Sequence, residues 1–300
     1  MLSICIPTYN YNVVPLVTEL HQQASTANIQ FHILVADDFS TQPEIVEQNR
    51  KIRSFSNVEF IELSKNIGRS SIRNLLASKA KYEYLLFLDC DVSPEAENFI
   101  QDYWDNRVDN GVVIGGLVYR NELPNDDVSL RWHYGHNRET TTAKQRNLKP
   151  YRSFMTGCFL IARSVFNSLK FDETIDQYGH EDTLFGIALR NEGISIRHID
   201  NRVFHDGLES NEVFIQKTKR AIANSILLSE QHVLQTEIIA QIKLLKVFYQ
   251  LKKLRLVKPI AHWFERNEKK LLIKLNAPHP NLRIFDLYKL AYLCKLSVSD

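Results

Sequence analysis

The sequence predicts an α/β fold: a Rossmann-like, mixed but mostly parallel sheet flanked by helices, with a helical C-terminal extension. Three observations carry this. Short apolar runs at residues 2–6, 31–36, 58–61, 84–88 and 112–118 alternate with segments of helical period near 13–27, 43–53, 69–80 and 95–107. Runs apolar on both faces are what strands buried between helix layers require. From about residue 212 the pattern is helical to the end, and the charge changes sign there. Residues 212–300 hold sixteen Lys and Arg against seven Asp and Glu, whereas residues 1–211 hold 21 against 28. The division predicts a catalytic domain at 1–211 and a basic helical region at 212–300.

In a sheet of this kind ligands bind at the carboxyl ends of the strands, so the residues after each run matter most. The first run ends in Pro7-Thr8-Tyr9-Asn10 and the second in Asp37-Asp38-Phe39-Ser40. The third leads through Asn66-Ile67-Gly68-Arg69 into a helix bearing Arg73. The fourth runs into Asp89-Cys90-Asp91, after which Ser93-Pro94 is expected to start a helix. Residues 119–152 are polar and aromatic without a clear period, and read as a long loop, functional or mobile. Regular structure resumes with a strand in 154–162, a short helix at 163–168, a helix opening at Glu181-Asp182, and strands near 195–198 and 202–205, the last ending in His205.

Composition narrows the function. With 44% hydrophobic and 24% charged residues in 300, the chain is an ordinary globular protein rather than a disordered, collagenous or disulfide-built one. Ten glycines are few, and neither GxGxxG nor Walker A spacing occurs, which argues against dinucleotide and P-loop sites. Four cysteines without a CxxC pair argue against a zinc knuckle and suit a reducing compartment. The opening residues read as a buried strand rather than a signal peptide, and no apolar stretch is long enough to span a bilayer. A cytoplasmic location is therefore expected. A net charge of +2 and an acidic catalytic half argue against nucleic acid as a partner.

The acidic residues point to chemistry. Asp89 and Asp91 lie two apart, a period that would aim both at one face and suit one divalent cation, Mn²⁺ or Mg²⁺. Carboxylates that merely end a strand are the ordinary alternative; crowding with Asp37 and Asp38 favours a cation, since like charges repel. Glu181 and Asp182 suit a helix N-terminus electrostatically, and the same placement serves a general base. His205 is either structural or a third metal ligand.

In their order and spacing PTYN, ADDFS, NIGRSSIRN, LFLDCDV, TGCFLIARSVF, FDETIDQYGHEDTLFGIALRNEG and VFH resemble a family 2 glycosyltransferase with the GT-A fold, over about residues 1–210. The resemblance implies an inverting transfer from a nucleotide-diphosphate sugar, UDP-linked, to a saccharide or lipid-linked saccharide acceptor. It implies that Pro7 and Tyr9 line the base and ribose and that Asp38 bonds the base. Arg69 and Arg73 would lie near the ribose or diphosphate. Asp89 would contact the ribose or the metal shell, Asp91 would bind the metal, and His205 would complete it. Gly157 would admit the sugars, Glu181 would bind donor or acceptor sugar, and Asp182 would be the catalytic base. Cys90 stands where the family often has an acidic or small residue. A nucleotidyltransferase and a non-catalytic nucleotide- or sugar-binding module are the competing readings; the first would want a glycine-rich basic loop after the first strand. The basic region suggests a peripheral contact with an anionic membrane on its inner face, against the alternative of helices packed on the catalytic domain.

Overall fold

The computed structural model describes residues 1–175 and 177–299. Asp176, inside the FDETIDQYGHED stretch, and Asp300, at the end of the basic region, lie outside them. The chain forms two compact units. One comprises Met1–Val118, Thr140–Asp176 and Glu181–Gly207; the other comprises Tyr119–Glu139, Gln177–His180 and Leu208–Asp300.

The first unit is built on strands β1 (Leu2–Thr8), β2 (Phe31–Asp37), β3 (Val58–Glu62), β4 (Tyr84–Leu88), β5 (Val92–Pro94), β6 (Gly111–Ile114), β7 (Leu117–Val118), β8 (Cys158–Ala162), β9 (Ser195–His198) and β10 (Val203–His205). Among the described residues, seven form one sheet in the order β3-β2-β1-β4-β8-β6-β9, with β8 alone antiparallel to its neighbours. The mixed, mostly parallel sheet is thus as expected, and its middle strands are buried throughout because helices cover them. Phe159 of β8 stacks on Phe87 of β4 at 4.9 Å, and Phe87 on Phe166 at 5.2 Å, which ties the helix Arg163–Leu169 to the sheet.

Among the strands, two readings differ from expectation. The run at 112–118 is two strands, because the chain turns at Gly115-Gly116. A Cβ on Gly115 would lie 1.8 Å from the Asn201 carbonyl oxygen, and Gly116 has φ +99°. This sends β7 into a second sheet of order β5-β10-β7. Ser93-Pro94 starts no helix. It belongs to β5, paired antiparallel with β10 so that Pro94 faces Val203, and the helix begins only at Phe99. Pro94 sits on an edge strand, where a missing N–H is tolerated.

The second unit is helical, with Asn211–Gln231, Gln235–Gln241, Lys243–Lys253, Val257–Leu275 and Leu282–Ser299 as its main elements. Its core gathers Phe264, Leu271, Leu275, Phe285 and Tyr288 around Leu130 and Ile215. The Ser210 hydroxyl caps the first of these helices at the Val213 N–H. The stretch 119–152, expected as a long loop, instead holds short helices at Ser129–Tyr134 and Ala143–Asn147, and polar contacts order residues 119–139 in this unit. Arg131 donates twice to Glu139 at 3.0 Å, Tyr119 bonds the same carboxylate, and Asn211 accepts from Leu130 N–H at 2.7 Å. Among the described residues no helix is long and apolar enough to cross a membrane.

Candidate active site

The ends of β1, β2 and β4 converge at one edge of the first unit's main sheet. Thr8 closes β1, and its carbonyl accepts the Asp38 N–H at 2.8 Å, locking the start of the next loop. Pro7 is half-buried in β1; Tyr9 and Phe39, just past adjacent strands, are exposed aromatic rings. The buried Asp38 carboxylate accepts the Ile67 N–H at 2.7 Å and the Gly68 N–H at 3.1 Å. Burial raises its pKa, partly offset by those two bonds. Asp38 thereby fixes the turn that delivers Arg69 and Arg73 on the helix Arg69–Lys79. A cavity of about 280 Å³ opens nearby, lined by Asp37, Phe39, Ser40 and Pro43 among others.

Asp89-Cys90-Asp91 is a turn between β4 and β5, so strict strand alternation does not apply and its carboxylates find different partners. Asp89 accepts from the buried Arg73 guanidinium at 2.6 Å, while Arg73 also donates to the Arg69 carbonyl at 3.1 Å. The cation that offsets Asp89 is therefore a guanidinium. Asp91 lies 3.6 Å from His205 Nε2. The antiparallel pairing of β5 and β10, which sets Val92 opposite His205, brings them together. Backbone N–H groups of Asp206 and Gly207 then bond the Asp91 carbonyl at 2.9 and 3.2 Å, and a Cβ on Gly207 would meet Asp91 Oδ2 at 2.5 Å. Among the described residues no three His, Cys, Asp or Glu side chains converge on a metal position. The Asp91–His205 pair still suits Mn²⁺ or Mg²⁺, which commonly take one or two protein ligands and fill the rest with phosphate oxygens and water.

Glu181 and Asp182 open the helix Glu181–Asn191. Glu181 is buried and paired with Arg69 at 3.3 Å. Asp182 accepts the Thr183 N–H at 2.6 Å, and its carboxyl is pushed up to about 6, first by burial and next by the adjacent Glu181 charge. One turn on, Phe185 stacks on Phe171 at 4.3 Å, and the Arg73 guanidinium lies 5.7 Å from the centre of that same Phe171 ring. This sandwich registers the Asp182 helix against the Arg73–Asp89 pair. Gly157 accepts the Asp89 N–H through its carbonyl at 3.2 Å, and the atoms nearest an added Cβ would be those of Leu117, at ordinary contact distance from 3.4 Å.

The structure thus gathers Arg69, Arg73, Asp89, Gly157, Glu181 and Asp182 through one chain of contacts, and sets Asp91 with His205 beside it. Pro7, Tyr9 and Asp38 stand at the neighbouring strand ends. Sequence reasoning missed Phe171 and Tyr11. The Tyr11 phenol is raised to about 12, first by burial and then by the charges of Asp91 and Asp206. Its only sequence signal was its place in the turn after β1.

Known proteins agree with this architecture. The chain is 28% identical to the chondroitin synthase of Escherichia coli over 260 residues, covering 75% of this chain and 37% of that protein. It is 25% identical to the Pasteurella multocida chondroitin synthase over 262 residues, covering 76% of this chain and 26% of that protein. The chain therefore spans well under half the length of these curated relatives. Among solved structures, the mannosyltransferase PcManGT from Pyrobaculum calidifontis, in complex with GDP-Man and Mn²⁺, superposes with a TM-score of 0.54 at 14% identity, covering 99% of this chain and 86% of that one. That likeness establishes the common GT-A fold. The Glycosyl transferase family 2 model matches residues 3–170, from β1 through the helix after β8 and so across most of the strand ends described above. With more than half of its length under that model, the chain belongs to glycosyl transferase family 2.

Proposed function

We propose that the chain transfers a glycosyl group from a nucleotide-diphosphate sugar, UDP-linked, to a saccharide or lipid-linked saccharide hydroxyl, inverting the anomeric centre. The observation that carries this is Asp182, a carboxyl raised to about 6 at a helix N-terminus registered against Arg73 and Asp89. A carboxylate with that pKa is ionised at neutral pH yet basic enough to take a proton from an attacking hydroxyl. Direct displacement by that hydroxyl needs one base and no enzyme nucleophile, and leaves the product inverted.

In this reading Tyr9 and Pro7 border the base and ribose, and Asp38 accepts from the base with lone pairs left over from Ile67 and Gly68. Arg73 holds Asp89 oriented toward the ribose, and Arg69 holds Glu181 toward a sugar. Asp91, with His205 and with Asp89 in its outer shell, would hold a divalent cation, which when bound offsets charge on the leaving diphosphate. Gly157 leaves room for the sugars. The resemblance to chondroitin synthases supports an acceptor that is itself a saccharide, in polysaccharide synthesis. The test is a turnover assay over a panel of nucleotide sugars, with and without Mn²⁺, on the chain and on Asp182→Asn. Turnover with an inverted product, lost in Asp182→Asn while donor still raises the melting temperature, supports the reading. Full turnover by Asp182→Asn would remove it.

A further inference from the structure

The helical unit carries a surface that its own packing does not explain. The helix Val257–Leu275 buries Ala261, Phe264, Leu271 and Leu275 on one side. Positions 256, 259, 263, 266, 270 and 273 recur at three- and four-residue spacing on the other side. A helix already buried along one stripe ordinarily shows water a polar outer face. Here that face exposes Trp263 and Ile273, the latter 73% exposed. The turn entering the helix exposes Leu254 and Leu256 as well, at 66% and 42%. These apolar groups stand among cations. Lys252, Lys253 and Arg255 flank the turn, and Arg266 and Lys270 share the outer face with Trp263, all exposed. Among the described residues of 252–274, Glu265 is the one exposed carboxylate, while Glu268 is tied to Lys219 and Lys295.

We propose that residues 252–274 form a docking face for an anionic lipid bilayer, with the Leu254–Leu256 turn, Trp263 and Ile273 entering the headgroup boundary and the surrounding Lys and Arg meeting lipid phosphates. Charge complementarity selects an anionic partner. The apolar groups select lipid over a soluble polyanion, which would leave Leu254 and Ile273 in water. Trp belongs at such a boundary because its ring is apolar and its N–H polar. Lys and Arg there lay their methylene stems along the apolar phase and keep their charges in the headgroups. The inference is independent of the donor, the acceptor and the chemistry at Asp182.

The test is co-sedimentation of the whole chain with phosphatidylcholine vesicles, with and without phosphatidylglycerol. The chain is expected to pellet with the phosphatidylglycerol vesicles only, to be released by high salt, and to show a blue shift of emission that Trp263→Phe removes. A cation near an anionic surface strengthens binding about fivefold, so a Lys252→Gln, Lys253→Gln, Arg255→Gln variant should bind about a hundredfold more weakly. Leu254→Ser with Ile273→Ser should weaken binding about tenfold or more. Both variants alter exposed positions, and circular dichroism checks that they fold. Equal partition into neutral vesicles would overturn the proposal. So would undiminished binding by the serine variant, which would assign the face to a soluble polyanion. Light scattering that shows this face joining two copies of the chain would also overturn it.

Discussion

Replacing Asp182 by Asn should make the protein more stable and less active over the same pH range. Burial and Glu181 raise the carboxyl from 3.8 to about 6. A shift of that size corresponds to about 3 kcal/mol. Its sign follows from linkage: below the unfolded pKa both states hold the proton and there is no penalty. As pH rises through 3.8 the unfolded chain ionises first, and the folded state loses ground until its own carboxyl ionises near 6. Above that the full cost remains. Asn carries no charge, and its Oδ1 can still accept the Thr183 N–H that Asp182 accepts at 2.6 Å. The variant should therefore match the wild type below about pH 3.5 and exceed it by about 3 kcal/mol at neutral pH. For a unit of this size that is a rise in melting temperature of about 6–12 °C. Turnover should fall by about 10²–10⁴-fold, the usual contribution of a general base. The wild-type rate should show an acidic limb with an apparent pKa near 6. Urea titrations across the pH range measure the stability, and initial rates the activity. An Asn-for-Asp difference that does not change with pH would refute the account of how this carboxyl is tuned.

Three further outcomes can be measured directly. Gly157→Ala should melt with the wild type, because the nearest atom to its Cβ, on Leu117, lies at an ordinary 3.4 Å, yet lose turnover if sugars approach that backbone. Gly207→Ala should displace the Asp91 carboxylate, whose Oδ2 lies 2.5 Å from the new Cβ; a weakened thermal shift by Mn²⁺ is the readout. The buried His198, whose Nδ1 accepts from Arg146 Nε at 3.2 Å, is lowered from 6.5 to about 4, first by burial. Stability from this group is present above pH 6.5 and is lost as pH falls toward 4; the loss is about 2 kcal/mol at pH 5, and a His198→Gln variant should lack that slope in urea titrations.

Strands β1, β2 and β4 were legible because burial on both faces writes itself as a nearly continuous apolar run, whereas the edge strand β3 buries only Phe60, between Glu59 and Glu62. The break at Gly115-Gly116 was not, because it answers to the Asn201 carbonyl, a neighbour far along the chain. Ser93-Pro94 was misread for the same reason: its local chemistry suits a helix start, and only β10 makes it a strand. In the site, residue types at strand ends pointed to Asp89, Asp91, Asp182 and His205, but pairings were hidden. Nothing in the DCD spacing says that Asp89 will be held by Arg73, because that depends on where the helix Arg69–Lys79 packs. Residues 119–152 lacked a period because buried guanidiniums order them. Arg131 does so through Glu139, and Arg146 through the carbonyls of Gly115 and Ile199 at 2.8 and 2.7 Å. Such contacts leave no repeating trace in a sequence.

Asp182 and His198 have a joint consequence that neither has alone. Both are displaced by burial, one upward and one downward, and their windows overlap between about pH 4 and 6. On acidification Asp182 regains about 3 kcal/mol while His198 loses about the same. The contributions of these two groups should therefore nearly cancel in the wild type, leaving little slope from either to be seen. Asp182→Asn exposes the His198 slope, so that variant should lose stability as pH falls. His198→Gln exposes the Asp182 slope and should gain stability over the same interval. The double variant should again show neither, since both titrating groups are then gone. Four urea series across this interval measure the cycle. Parallel slopes in the two single variants would mean that the buried charges are not where the structure puts them.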